Sequence, residues 1–323
     1  MNRREFLAAL AAPLVLGATP AALARPRGGT PVALVTADLE ARVVAVEVAT
    51  RRIVRSIPTL PDPRSAESLH RLEGALVAHT REGAVTLLEG LRVRRVLDGF
   101  SAPRYTAVHP LQPLAYVTDS ARGEVVVVDV EQGRIVRRVD VGGPARHVSV
   151  SREGTLLWAA LGSRASELAV VDLSRPRRPR LVGTVAPPFL AHDVVFAPGG
   201  RVWVTSGDRG AVALYPPQSA EPERVLAADR PPQHVCLREW GRGVAYVTSG
   251  KDGTLRVHDL ETGRRLRTVP IPLGSYNVTS EGSWIVSPSL DVGTLTVAGT
   301  AFGRRVGSVR VAGAAHDACL LVL

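Results

Sequence analysis

The sequence predicts an all-β fold, a seven-bladed β-propeller of four-stranded blades, and three observations carry that reading. One pattern recurs about every forty residues from Pro31 to Leu323: strand, polar tight turn, strand ending near Asp, Gly-Arg turn, third strand, then Pro or Gly before a fourth. Its clearest copies are Tyr116-Val117-Thr118-Asp119 with Gly123 to Asp129, and Tyr246-Val247-Thr248-Ser249 with Gly253 to Asp259. Finally, the chain starts its first blade one strand late and ends on an unpartnered strand, as a ring closed by its own terminus would.

We letter the strands of a blade A to D from the axis outwards. Residues 1–24 read as a leader. Arg3-Arg4-Glu5-Phe6-Leu7 is a twin-arginine sequence, the apolar run Phe6–Leu16 follows, and Ala22-Leu23-Ala24 is a small-x-small cleavage signal. The apolar run is too short to span a bilayer. Twin-arginine export to the periplasm or beyond is expected, with cleavage after Ala24; an uncleaved anchor or disordered arm is the alternative. A short linker occupies 25–30, and 31–323 is one propeller domain with no membrane span.

Pro31–Ala37 is already a B strand, followed by C at about Arg42–Val48 and D at about Arg52–Pro58. The last segment, His316–Leu323, reads as the A strand that completes this blade. Other A strands begin near Ala66, Arg104, Arg146, His192, Gln233 and Ser275. Ala66–His70 is the poorest match, being polar and weakly β-forming. An Arg/Pro insert, Arg175–Arg180, precedes the D strand of the fourth blade, where proline suits an edge. Glycine in the B–C turns, as at Gly123, Gly210, Gly253 and Gly293, supplies the positive φ that hairpins need.

Net charge is +10, almost all of the basic charge being arginine. The arginines are spread over turns and outer strands, and aromatics are only 4%, too few for base stacking, so nucleic-acid binding is disfavoured. Cys236 and Cys319 fall in inner strands with a whole blade between them, which predicts two buried thiols and no bridge. A monomer is expected.

The Tyr-Val-Thr-Asp and Tyr-Val-Thr-Ser motifs, each with a valine-rich strand ending in Asp129 or Asp259, resemble the YVTN family of propeller repeats. That resemblance implies an exported seven-bladed propeller without an assigned enzyme activity. Locally, Phe189-Leu190-Ala191-His192-Asp193 and Gly274-Ser275-Tyr276-Asn277-Val278 resemble the haem-d1 domains of exported nitrite reductases and related biosynthesis proteins. That likeness implies a tetrapyrrole on the axial face with His192 as iron ligand. Those domains have eight blades, and the chain has no Cys-x-x-Cys-His attachment site.

The residues that start each A strand should converge at one mouth of the channel: Ala66-Glu67, Arg104-Tyr105, Arg146-His147, His192-Asp193, Gln233-His234, Tyr276-Asn277 and His316-Asp317. Four of the eight histidines fall in this ring. His147, His192, His234 and His316 suit a divalent metal. Arg104 and Arg146 suit a carboxylate or phosphate, since guanidinium bonds such groups bidentately. Tyr105, Asp193, Tyr276, Asn277 and Asp317 complete the candidate lining. The plainer reading is a solvated polar rim.

His70, His79, His109 and His258 read as structural, and Trp158, Trp203, Trp240 and Trp284 as inter-blade packing. No Gly-x-Ser-x-Gly, His-Glu-x-x-His or Walker sequence is present. The expected function is therefore a module that binds a small ligand, metal or protein partner through the axial face. The alternatives are a lactonase-like hydrolase using His147, His192, Asp193, His234, His316 and Asp317, a haem-d1-related tetrapyrrole binder, and a pure protein scaffold.

Overall fold

A computed structural model of the protein describes residues 31–239, 243–300 and 304–322. The expected leader (1–24), linker (25–30) and Trp240 lie outside the described residues. Seven four-stranded antiparallel sheets form the propeller, and each A strand contacts the next until the seventh returns to the first. The C-terminal strand Ala315–Val322 pairs with Pro31–Ala37, with Leu34 opposite Cys319, so the chain's end supplies the innermost strand of its first blade. Among the described residues no helix is long and apolar enough to cross a membrane.

Valine-rich B and C strands make the core. Leu114–Asp119 is buried throughout, as are Val125 to Asp129. Each of seven apolar clusters spans one boundary between neighbouring blades. A blade thus buries its faces only against its neighbours, and the ring is stable only when closed. Trp158 illustrates this, its ring lying 5.5 Å from that of Tyr215 and 6.2 Å from Phe196, both in the next blade. Trp203 is fully buried and Trp284 packs half-buried at the boundary with the first blade. The D strands face solvent. Arg52 to Ser56 are all exposed, and arginine on such an edge deters pairing with another sheet. Some of these arginines also lock the next blade: Arg94 donates to the Glu131 carbonyl and Arg224 to that of Thr262.

Two expectations need correcting. The second A strand is Pro63–Leu69, not Ala66–His70, and His70–Leu72 forms a 3₁₀ turn. Pro63 occupies the first strand position, where its missing N–H is tolerated. Arg64-Ser65 therefore takes the ring position, and Glu67 lies two residues deeper. The cysteines are both unpaired, but only Cys319 is buried; Cys236 is half-buried. Its neighbour across the blade boundary is the three-residue A strand Thr279–Glu281, which covers less of it.

The start of several A strands carries a β-bulge. Two residues there oppose a single threonine of the B strand: Arg104-Tyr105 opposite Thr118, His192-Asp193 opposite Thr205, and His316-Asp317 opposite Thr36. A bulge frees a backbone N–H and re-aims side chains. The threonine hydroxyl takes that N–H, from Tyr105 at 3.0 Å, Asp193 at 3.1 Å and Asp317 at 2.9 Å. Thr118 and Thr205 then donate to the carbonyls of Arg146 and Gln233 in the next blade, both at 2.6 Å. The Thr of the Tyr-Val-Thr motif is thus the clip that holds the axial rim.

Candidate functional site

Three consecutive blades, the fourth to the sixth, contribute His147, His192 and His234 to one cluster. One ligand atom of each lies within 4.8 Å of the others, and all three side chains are buried. The ring centroids are 4.4–4.9 Å apart. Tyr105 of the third blade covers the cluster, its ring centroid 3.9 Å from that of His147.

The hydrogen bonds orient two of the three imidazoles. His192 Nδ1 lies 2.8 Å from the carbonyl of Ser163, which can only accept, so Nδ1 carries the proton and Nε2 the lone pair. His234 Nδ1 lies 3.5 Å from Asp193 Oδ2, an ion-pair distance longer than a hydrogen bond. The two Nε2 atoms then face each other at 3.2 Å. That contact needs a shared proton, His234 Nε2–H donating to the His192 lone pair, or a cation that takes both lone pairs. His147 adds a third, since neither of its buried ring nitrogens has a hydrogen-bond partner. A buried unpartnered polar group costs about 1–3 kcal/mol.

Burial holds the His147 imidazole well below its usual range, aided by the charges His192, His234 and Arg146 would present. Burial likewise pushes His192 down to about 3. Both are neutral at pH 7, the form that binds metals. A tetrahedral ion with bonds of about 2.0–2.1 Å spaces its nitrogens by roughly 3.4 Å. The His192–His234 pair already has that spacing, and the His147 ring lies 4.4 Å and 4.7 Å, centroid to centroid, from those of His192 and His234. The donor set therefore fits a divalent transition metal.

The other expected members of the ring have different tasks. His316 stands apart from the cluster: its Nδ1 bonds the Arg64 carbonyl in the next blade, and burial, then Arg64, depress it to about 3. Asp193 and Asp317 are blade staples. Asp193 accepts from Val194 N at 2.8 Å and from Val235 N of the next blade at 3.0 Å; Asp317 accepts from Ala318 N at 2.9 Å and Ala66 N at 3.1 Å. Asn277 donates to the His316 carbonyl at 2.7 Å. Tyr276 lies against Gly250, where any Cβ would sit 2.6 Å from its ring. Gln233 is buried and bonds the Asp229 carbonyl. Arg104 and Arg146 are half-buried at the rim, with Arg104 Nε donating to Ser120 Oγ at 3.2 Å.

Sequence reasoning missed Ser163, whose carbonyl orients His192 and which lies in a turn without a motif. It also missed Arg64, hidden by the offset in the second blade. The clip threonines were visible as a motif but not as a function. The remaining histidines are structural: His79 bridges the Pro61 carbonyl and Thr86, His258 bonds the Gly263 carbonyl, and His109 Nδ1 accepts from Leu111 N and Gln112 N. A groove of about 240 Å³ beside Glu67, His70 and His109 opens at the other end of the molecule, among the A–B turns.

No family model matches the chain, and no curated protein matches it by sequence. Solved structures do. A functionally unknown protein from Desulfotomaculum acetoxidans superposes with a TM-score of 0.77 at 14% identity, covering 90% of this chain and 98% of that one. AztD from Citrobacter koseri gives 0.71 at 10% identity, over 91% and 98%. The dihydro-haem d1 dehydrogenase NirN, solved in complex with DHE, gives 0.63 at 16% identity, over 89% and 66%. At these identities the likeness establishes a shared fold; chemistry must be argued from the site itself.

Proposed function

We propose that the protein is an exported propeller that binds a divalent transition metal such as zinc or copper through His147, His192 and His234 on its axial face. The observation that carries this is the convergence of His147, His192 and His234, with one ligand atom of each within 4.8 Å of the others, the His192 and His234 Nε2 atoms 3.2 Å apart and the His192 Nδ1 bonded to a carbonyl. A cation resolves that arrangement, and an imidazole fixed through its far nitrogen is the usual form of a metal ligand. The export half of the proposal rests on the twin-arginine leader.

The test is metal loading. Metal-depleted protein is titrated with Zn(II) or Co(II) at pH 7.5 and the bound ion counted by elemental analysis. One ion per chain is expected. His192→Ala should weaken binding by about 100-fold or more, the scale on which even the partners of metal ligands act, whereas His316→Ala should leave it nearly unchanged. Absence of uptake by the wild-type protein would sink the proposal.

Three protein ligands leave a fourth position for water, the pattern of catalytic zinc. This supports a second reading, a lactonase-like hydrolase; turnover of lactones by the zinc-loaded but not the metal-free protein would support it. The tetrapyrrole reading draws on the local likeness around His192, and a Soret band in protein isolated from its native compartment would favour it over a bare ion.

A further inference from the structure

The rim is chemically lopsided. The second, third and fourth blades place Arg64, Arg104 and Arg146 at its ring position, and the fourth, fifth and sixth supply the histidines, so that Arg146 and His147 are neighbours in one blade. Arg64 is neutralised by Asp38 at 2.5 Å. The other two are not. Among the described residues neither Arg104 nor Arg146 makes an ion pair, and Arg146 Nε is buried without a partner. The acid nearest in charge to Arg104, Asp62, is held by Arg81, through its N–H at 3.0 Å and its guanidinium at 4.0 Å, and Asp193 and Asp317 spend both oxygens on backbone N–H groups. Two half-buried guanidinium groups therefore stand beside the imidazole cluster without an ion-pair partner of their own. A divalent ion on the histidines would add to the excess. Tyr105 joins the two features, since it follows Arg104 in the chain and stacks on His147.

We propose that Arg104 and Arg146 form a carboxylate-binding subsite beside the three histidines, so that the axial face takes a small organic acid with the metal. This deepens the metal reading and rests on it for the co-ligand role. A planar carboxylate matches the guanidinium fork, and one of its oxygens, or a second carboxylate on the same molecule, is free to reach the open metal position. Its negative charge offsets both the arginine pair and the ion.

The experiment uses malonate as probe, titrated by calorimetry into metal-free and Co(II)-loaded protein, with the visible bands of Co(II) as a second readout. Malonate should bind both forms and at least about tenfold more tightly with Co(II) present, equivalent to about 1.4 kcal/mol. Arg104→Gln and Arg146→Gln should each weaken it at least about tenfold in both forms, while Co(II) still loads at one per chain, which also reports that the variants are folded. Arg146→Lys, which keeps the charge but loses the fork, should fall between. Equal malonate affinity in wild type and variants would overturn the subsite and leave the metal reading standing. Phosphate binding more than tenfold tighter than malonate would overturn the carboxylate assignment. If Co(II) fails to load, the metal reading falls, whereas malonate binding to the metal-free protein that Arg146→Gln abolishes still supports the subsite.

Discussion

The dipeptide His-Asp starts two A strands, at 192–193 and at 316–317, and the two copies end differently. Both sit on a bulge opposite a threonine, and both aspartates staple the following blade through its backbone N–H. The histidines part company. His192 turns its Nδ1 back to the Ser163 carbonyl of the preceding blade, which leaves Nε2 facing His234 ahead. His316 turns its Nδ1 forward to the Arg64 carbonyl. The following blade offers His192 another imidazole, whereas it offers His316 a backbone oxygen and a guanidinium. The same two residues at the same position thus join an imidazole cluster in one sector and make a tie in the other. A repeat transmits position; the neighbours decide chemistry.

The most severe way to break this comparison is to remove one copy with its strand. Deleting residues 315–323 takes away the innermost strand of the first blade, bares the edge of Pro31–Ala37 and opens the ring. Loss of cooperative unfolding and an aggregated product are expected, because the boundary clusters on both sides of that blade lose residues at once. A truncated chain with an unchanged melting temperature and a monomeric elution would show that closure is not made this way.

A milder break tests whether the two aspartates are equivalent. Asp193→Ala and Asp317→Ala each strand two backbone N–H groups and should each cost about 1.5–3 kcal/mol in urea unfolding at pH 7.5. The Asp193 variant should weaken Co(II) at least about tenfold more than the Asp317 variant, since Asp193 lies 3.5 Å from His234 Nδ1 whereas Asp317 acts on that ring only through its charge. A loss below 0.5 kcal/mol in either variant (roughly the scatter of a neutral surface change) would mean that its staple is ornamental.

The smallest effect separates the staples by pH. Glu67 faces Asp317, and burial followed by that neighbouring acid pushes its carboxyl up to about 8; Asp317 itself is raised to about 6, mainly by burial. A carboxyl whose folded pKa exceeds its unfolded value of 4.5 binds more protons when folded. Its contribution is present below about 4.5 and is lost as the pH rises to about 8. Glu67→Gln removes that loss. The variant should match wild type near pH 4.5 and exceed it at pH 9 by at least about 1.4 kcal/mol, one pKa unit. A constant difference across the range would show that Glu67 does not titrate as the fold implies.

Much of this architecture was legible in the chain. The recurring Tyr-Val-Thr and Gly-Arg motifs placed most strands correctly, because continuous valine-rich runs and turn glycines are local properties. The late start at Pro31 and the orphan strand at His316 together implied closure, because an unpaired inner strand must find an edge. The second A strand was misplaced because its polar residues hide their pattern. Ser65 is buried although polar, its hydroxyl donating to the Arg104 carbonyl of the next blade.

The site was legible only as a set of ring positions. That His147, His192 and His234 begin consecutive A strands can be read from the repeat register. Which nitrogen each presents depends on Ser163 and Asp193, and nothing in the local sequence of either histidine announces that partner. His316 has the same local sequence signal as His192 and does not join the cluster. The chain by itself determined the fold, the closure and the ring positions, since periodicity, turn residues and strand count act over short spans. Only the tertiary structure decided which histidines converge and which rim arginines make no ion pair among the described residues, because those properties arise where three or more blades meet and each blade sees its partners only after the ring has closed.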